Sequence, residues 1–189
     1  MKERLRQHII NRLGGNIDGI DEVLSQFKSI KVKRNEQILT QGDICRYVYF
    51  VAKGCLQVYV YDKNSNETTR DIVTEDNWCS ELMSFGNEQP SSENIRAVEH
   101  SDLCAIDRVS FMNMMETVPQ FGLIYNQILE ASYANSVYRI NTFVSLSALE
   151  RIQWLMEFRP NLMTRLSSKL IASYLGISQE TFSRLKRKH

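Results

Sequence analysis

Gln179, Glu180, Ser183, Arg184 and Arg187 recur at helical spacing near the C-terminal end of this 189-residue chain, and as a set they suit the reading of base edges. An arginine can donate two parallel N–H bonds to guanine, and a glutamate can accept from the N4 amine of cytosine. Phe182 and Leu185 fall on the opposite side of the same pattern, so one face is apolar and the other polar. Lys186, Lys188 and His189 add to a basic tail. From Arg159 onward Glu180 is the only acid, a balance that suits phosphates.

These residues need a scaffold, and the preceding stretch supplies its pattern. Leu170, Ile171, Tyr174 and Leu175 recur at helical spacing, with Ser167 placed to cap the orphan amides. Gly176 falls where a helix must stop, since glycine enters the left-handed region without a Cβ clash. Ser178 is placed to cap a second helix, and Glu180 in its first turn complements the helix dipole. Ala172 is small where two helices would cross. The pattern predicts a helix-turn-helix whose second helix has a polar face for the DNA major groove. The bland alternative is a helical hairpin that packs on something and reads nothing. The alanine, the glycine four residues on, the inward pair and the basic tail together favour DNA.

Composition narrows the rest. Hydrophobic residues make up 43% and charged residues 24%, which suits a soluble globular protein of one or two domains. A net charge of +1 excludes a polycation, so the basic C-terminal end is a local feature. Cys45, Cys55, Cys79 and Cys104 are widely spaced with no C-x-x-C pair, so buried free thiols are expected and no metal site. No apolar run reaches the length of a membrane span. The N-terminus is charged and amphipathic, unlike a signal peptide. A reduced, cytoplasmic setting is expected. No nucleophile elbow, P-loop, dinucleotide fingerprint or zinc-protease motif is present, so no catalytic residue is assigned and an enzyme is not expected.

Taken in order, Lys2 to Leu13 reads as a helix and Ile20 to Phe27 as a second, short one. From Ile30 the apolar period becomes two. Strands are expected at Ile30–Val32, Ile38–Leu39, Tyr47–Val51, Cys55–Tyr61, Thr69–Val73, Asn94–Ala97 and Leu103–Ile106. The third and fourth, separated by Ala-Lys-Gly, are expected to form a hairpin. Many short strands argue for a β-roll or jelly roll spanning roughly Ile30 to Asp107. Val109 to Glu116 is a helix stopped by Pro119. Phe121 to about Phe143 is the longest helical segment, with one stripe of Ile124, Ile128, Ala131, Asn135, Tyr138 and Thr142. A second stripe of Leu129, Tyr133, Val137 and Ile140 lies beside it. One stripe would pack on the barrel and the other on a partner copy, the bland alternative being a helix wrapped by its own chain. Ala148 to Phe158 is a further helix ended by Pro160. The fold class is therefore α+β, with domains at 1–119 (helices and sensor roll), 120–145 (connecting and dimerisation helix) and 146–189 (helix-turn-helix).

A β-roll, a long helix and a C-terminal helix-turn-helix resemble the Crp/Fnr family of bacterial transcription regulators. In the first domain the likeness rests on GDICRYVYFVAKGCLQVYV, where Gly42 and Gly54 take the places of the family's turn glycines. In the last it rests on ISQETFSRLKR, which is similar to the family's recognition helix. The resemblance implies that Gln179, Glu180 and Arg184 are base-reading positions and that Thr181 lies near the DNA backbone. The candidate DNA-binding set is thus Ser178, Gln179, Glu180, Thr181, Ser183, Arg184, Lys186, Arg187 and Lys188. Members commonly add a β-hairpin wing after the recognition helix. Here the sequence given stops at His189, so either the version is wingless or something is missing, and phosphate contacts would then rest on the tail lysines and arginines.

Family members that sense cyclic AMP carry a Gly-Glu-Leu…Arg-Ser-Ala cassette, and SELMSFGNEQPSSENIRA corresponds to it. Ser80, Glu81, Leu82, Ser91 and Ser92 form the candidate ligand pocket. Ser80 stands for the glycine and Ser91 for the phosphate-binding arginine. A buried phosphate without that cation loses charge-assisted hydrogen bonds, so the site is expected to be degenerate and cyclic-nucleotide binding disfavoured. With no cysteine before Cys45 the iron–sulfur branch is disfavoured too, and His100 is left unassigned. The expected partners are a palindromic double-stranded DNA, a second copy of the chain, RNA polymerase and an unidentified small-molecule effector, with no membrane. The alternative is a cyclic-nucleotide or small-ligand module that acts through protein partners instead of DNA.

Overall fold

Helix α1 (Lys2–Leu13) forms because Leu5 and Ile9, one turn apart, both reach full burial. Ile20, Val23 and Leu24 are the buried residues of α2 (Ile20–Ser25). This computed structural model describes residues 1–15 and 18–186. Asn16 and Ile17, within the expected break after α1, lie outside the described residues, as do Arg187, Lys188 and His189. Two of the nine positions in the candidate DNA-binding set, Arg187 and Lys188, thus have no structural description.

Eight strands and a short helix follow among the described residues: β1 (Lys28–Val32), β2 (Gln37–Leu39), β3 (Tyr47–Lys53), β4 (Cys55–Tyr61), β5 (Glu67–Thr74), β6 (Trp78–Cys79), α3 (Leu82–Asn87), β7 (Asn94–Ala97) and β8 (Ser101–Asp107). They make two four-stranded sheets, in the orders β1-β8-β3-β6 and β2-β7-β4-β5. The pairing corrects one expectation: β3 and β4 do not form a hairpin but belong to different sheets. β3 pairs with β8, matching Tyr47 to Asp107 and Phe50 to Cys104.

Gly54 makes the switch of sheet possible. Its φ is +104°, and a Cβ there would lie 2.2 Å from Ser101 Oγ and 2.7 Å from Ser101 Cα. The same Ser101 Oγ accepts from the Cys55 amide at 3.1 Å and donates to the Glu99 carbonyl at 3.0 Å, so it cannot simply move aside. The core of the roll holds Phe50, Val51, Leu56, Ile95, Leu103, Cys104 and Ile106, with Leu5 and Ile9 of α1 against it. All four cysteines are buried free thiols.

The remaining elements are helical: α4 (Arg108–Thr117), α5 (Pro119–Ser145), α6 (Ala148–Phe158), α7 (Pro160–Arg165), α8 (Ser168–Leu175) and α9 (Gln179–Lys186). Pro119 and Pro160 follow the ends of α4 and α6, as expected, and each also opens the next helix. Pro119 opens α5, where its missing N–H costs nothing, and Pro160 starts α7, a helix the apolar period did not reveal. At 27 residues α5 is about 40 Å long. No helix among the described residues is long and apolar enough to cross a membrane.

The chain divides into two compact units, Met1–Val58 with Ile72–Glu130, and Tyr59–Asp71 with Ala131–His189. β4, β5 and α5 each run from one unit into the other. In the first, α4 and the start of α5 supply Phe111, Met114, Phe121 and Ile124 to the core, and Ile128 packs against it. In the second, Ile152, Leu155, Leu162, Leu166, Ile171, Leu175 and Phe182 are buried.

Candidate nucleic-acid interface

The helix-turn-helix is assembled from local signals. Ser167 Oγ accepts from the Leu170 amide at 3.3 Å and starts α8. Gly176 ends it at φ +65°, in the left-handed region, with the Ile177 amide returning to the Ala172 carbonyl at 3.0 Å. Ser178 Oγ then accepts from the Thr181 amide at 3.1 Å and donates to the Thr181 hydroxyl at 2.9 Å, which fixes the first turn of α9. Behind this turn, α8 and α9 both pack on α6. Ala172 is 1% exposed and Phe182 is fully buried, so the two helices approach closely and α9 is anchored by one ring. α6 is itself capped by a reciprocal pair: Ser147 Oγ accepts from the Glu150 amide, and Glu150 accepts from the Ser147 amide at 2.8 Å. That pair holds the Glu150 carboxyl below its ordinary pKa.

Burying Phe182 turns the opposite side of α9 outward. Ser178, Gln179, Glu180, Arg184 and Lys186 are exposed, while Thr181 and Ser183 are half-buried. Gln179, Glu180, Ser183 and Arg184 share one face at helical spacing. Lys186 lays its stem along the anchor, with Nζ 5.8 Å from the Phe182 ring centre. The face therefore offers two forked side chains, a carboxylate and a hydroxyl on a helix whose other side is pinned.

Arginines hold the scaffold from behind, and sequence reasoning missed them. Arg139 on α5 donates to the Tyr174 carbonyl at 2.7 Å and to the Thr69 carbonyl at 3.1 Å. Its guanidinium lies 4.1 Å from the Tyr174 ring centre and 4.8 Å from that of Phe143, and burial pulls its pKa below the usual arginine value. Arg151 on α6 donates to the Leu175 carbonyl at 3.0 Å and to the Phe143 carbonyl at 3.3 Å. Two cations thus satisfy orphan carbonyls at the C-terminal end of α8, where the helix dipole favours positive charge. Their only trace in the sequence was the Arg139…Phe143 spacing of one helical turn.

The cassette residues lie in the other unit. Glu81 is 7% exposed and both its oxygens serve the start of α3, accepting from the Met83 amide at 3.1 Å and the Ser84 amide at 2.9 Å. Ser80 Oγ donates to the Tyr47 carbonyl at 3.1 Å. Ser91 is buried, and its hydroxyl donates to the Glu93 carbonyl at 2.8 Å and accepts from the Glu93 amide at 3.1 Å. Leu82 and Ser92 are exposed. Arg96, the nearest arginine along the chain, donates from Nε to Oε1 of the fully buried Gln57 at 2.9 Å.

Residues 29–118 match the family model of the cyclic nucleotide-binding domain. Among solved structures, FixK2 from Bradyrhizobium japonicum is similar at TM-score 0.75 and 16% identity, over 86% of this chain and 83% of that one. The c-di-GMP responsive global regulator CLP of Xanthomonas campestris is similar at TM-score 0.73 and 17% identity, over 89% of each chain. A protein from Eubacterium rectale assigned to the Crp/Fnr transcriptional regulators follows at TM-score 0.69 and 16% identity, over 93% of this chain and 84% of that one. No curated protein matches the chain by sequence.

Residues 29–118 therefore match the cyclic nucleotide-binding domain by sequence, and the chain shares its fold, a β-roll followed by a long helix and a helix-turn-helix, with these solved structures along nearly its whole length.

Proposed function

We propose that this protein is a homodimeric, sequence-specific DNA-binding transcription regulator of the cytoplasm, with RNA polymerase and a small-molecule effector as further partners. The observation that carries the reading is the division of α9: Phe182 is fully buried while Gln179, Glu180 and Arg184 face outward. Ser183 and Arg184 lie one turn beyond Gln179 and Glu180, which suits insertion into a major groove, with Ser178 and Thr181 near the sugar-phosphate chain. Lys186 carries phosphate contact, and Arg187 and Lys188 are assigned to it by sequence.

Dimerisation is supported by α5. Tyr133, Val137, Ile140 and Val144 are 73, 36, 61 and 82% exposed and fall at alternating spacings of four and three. An apolar seam of that period is what a second helix covers, and two-fold symmetry would bring two reading heads to a palindrome. Selection of bound sites from a random duplex library tests both parts. A palindromic motif with half-sites about 10 bp apart is expected. No enriched motif would remove the reading.

The second reading, a ligand module working through protein partners, draws on the match of residues 29–118 to the cyclic nucleotide-binding domain. Against a cyclic-nucleotide effector stands the cassette: Glu81 is committed to α3, and a serine bonded to its own loop occupies the arginine position. Calorimetry with cyclic AMP, cyclic GMP and c-di-GMP decides. Strong heat with no selected DNA motif would favour this second reading.

A further inference from the structure

An α-helix leaves its last four carbonyls without partners inside the helix. In α8 the carbonyls of Ala172, Ser173, Tyr174 and Leu175 are all bonded, two by the turn and two from outside. The Ile177 amide donates to Ala172 at 3.0 Å and the Gly176 amide to Ser173 at 3.1 Å. Arg139 reaches the Tyr174 carbonyl at 2.7 Å, and Arg151 reaches that of Leu175 at 3.0 Å. Leu175 immediately precedes Gly176, so Arg151 of α6 holds the last carbonyl before the turn.

Each of the three nitrogens of Arg151 donates there. Nε bonds the Leu146 carbonyl at 3.1 Å, Nη1 that of Leu175, and Nη2 that of Phe143 at 3.3 Å. The guanidinium also lies 4.8 Å from the centre of the Phe143 ring, which packs at Gly176. One flat fork therefore ties the end of α5, the α5–α6 joint and the end of α8 at a single point. A lysine carries its donors on one atom and cannot address three carbonyls spread around a plane. All these residues belong to one compact unit, and none of them is on α9.

We propose that Arg151 is a positioning residue for base reading: it fixes the α8–α9 turn from behind and so sets where Gln179, Glu180 and Arg184 meet the bases, without touching DNA. The part that concerns DNA rests on the reading of α9 given above; the part that concerns the turn does not. Gln179 follows closely on Gly176, so a shift of the turn is carried straight into α9. Base-edge bonds hold only within a few tenths of an ångström of about 2.9 Å, whereas a long basic side chain follows a phosphate over a wider range. A displaced α9 loses sequence-specific binding and keeps non-specific binding.

Arg151→Lys keeps the charge and tests both parts. Hydrogen exchange on the full chain reads the turn without DNA. The Ile177 amide should exchange about tenfold faster than in wild type, the loss expected for a charge-assisted bond. An unchanged rate, or an equal rise at the Leu155 amide inside α6, would overturn the role in the turn. Titrations well below Tm read the DNA part. On a duplex selected by wild type, Arg151→Lys should bind about tenfold more weakly, while affinity for a scrambled duplex and its salt slope stay at wild-type values. Equal losses on both duplexes would assign Arg151 to phosphate contact or to folding, and no loss on either would make it purely structural; each overturns the positioning role. If Arg151→Lys does not fold, Arg151→Gln carries the same comparison. If wild type selects no DNA motif, the reading of α9 falls and takes the DNA part with it, while the exchange result still decides the turn.

Discussion

The ring of Phe143 occupies the space that a side chain on residue 176 would need. A Cβ built on Gly176 lies 2.4 Å from Phe143 Cε1, and Gly176 has φ +65°. The ring cannot easily turn away, because the guanidinium groups of Arg139 and Arg151 each sit 4.8 Å from its centre. The turn of the helix-turn-helix is therefore read by a residue of α5, before α6 begins.

Gly176→Ala combines left-handed strain with displacement of that ring and loss of cation–π contacts. It should cost about 2–3 kcal/mol of stability. Urea unfolding followed by circular dichroism measures it, with Gly15→Ala as a control, since a Cβ there meets nothing within 4 Å. Equal midpoints for the two variants would contradict the packing account.

Arg184 and Lys186 should fail in different ways. Arg184→Ala is expected to cost about 1–3 kcal/mol on the cognate duplex and to relax preference at one position per half-site. Lys186→Ala should weaken all duplexes alike and lower the salt slope by about one per protomer. Titrations on cognate and scrambled duplexes at several salt concentrations separate the two.

Ile140 is 61% exposed in the apolar seam of α5. Ile140→Glu should weaken self-association at least about tenfold by placing like charges face to face. Sedimentation equilibrium at several concentrations checks it. The fold should survive, because the side chain touches no core.

His8 gives the roll a pH dependence. Its Nε2 accepts from Trp78 Nε1 and from Arg12 Nε, each at 3.1 Å. Burial, and then the Arg12 charge, pull its pKa from 6.5 down to about 4, with Asp76 opposing. The unfolded chain therefore binds more protons between about pH 4 and 6.5. The contribution is complete above that window and is lost as pH falls through it. Partial exposure screens the effect to roughly 1–2 kcal/mol. Tm measured from pH 7.5 to 4.5 should fall faster for wild type than for His8→Gln, and parallel curves would assign the loss to other groups.

The caps of α8 and α9 were legible in the sequence, because a cap is a local event. Ser167 and Ser178 need only an amide three residues on, and Gly176 needs only its own backbone freedom, whereas the Ser147 cap of α6 went unread. The outward face of α9 followed from the spacing of Phe182 and Leu185. Seven of the eight described strands were legible one by one as short apolar or alternating runs, whereas the two-residue β6 was not.

Pairing was not. Two apolar runs joined by Ala-Lys-Gly suit a hairpin as well as a change of sheet, and the choice fell to β8, which takes β3 as its partner, and to Ser101, which leaves no room at Gly54. The bonds of Ser173 to Thr69, 104 positions apart, were equally hidden. Sequence determines what each segment can do with its own neighbours. Which distant groups meet depends on burial summed over the whole chain, and only the tertiary structure decided that.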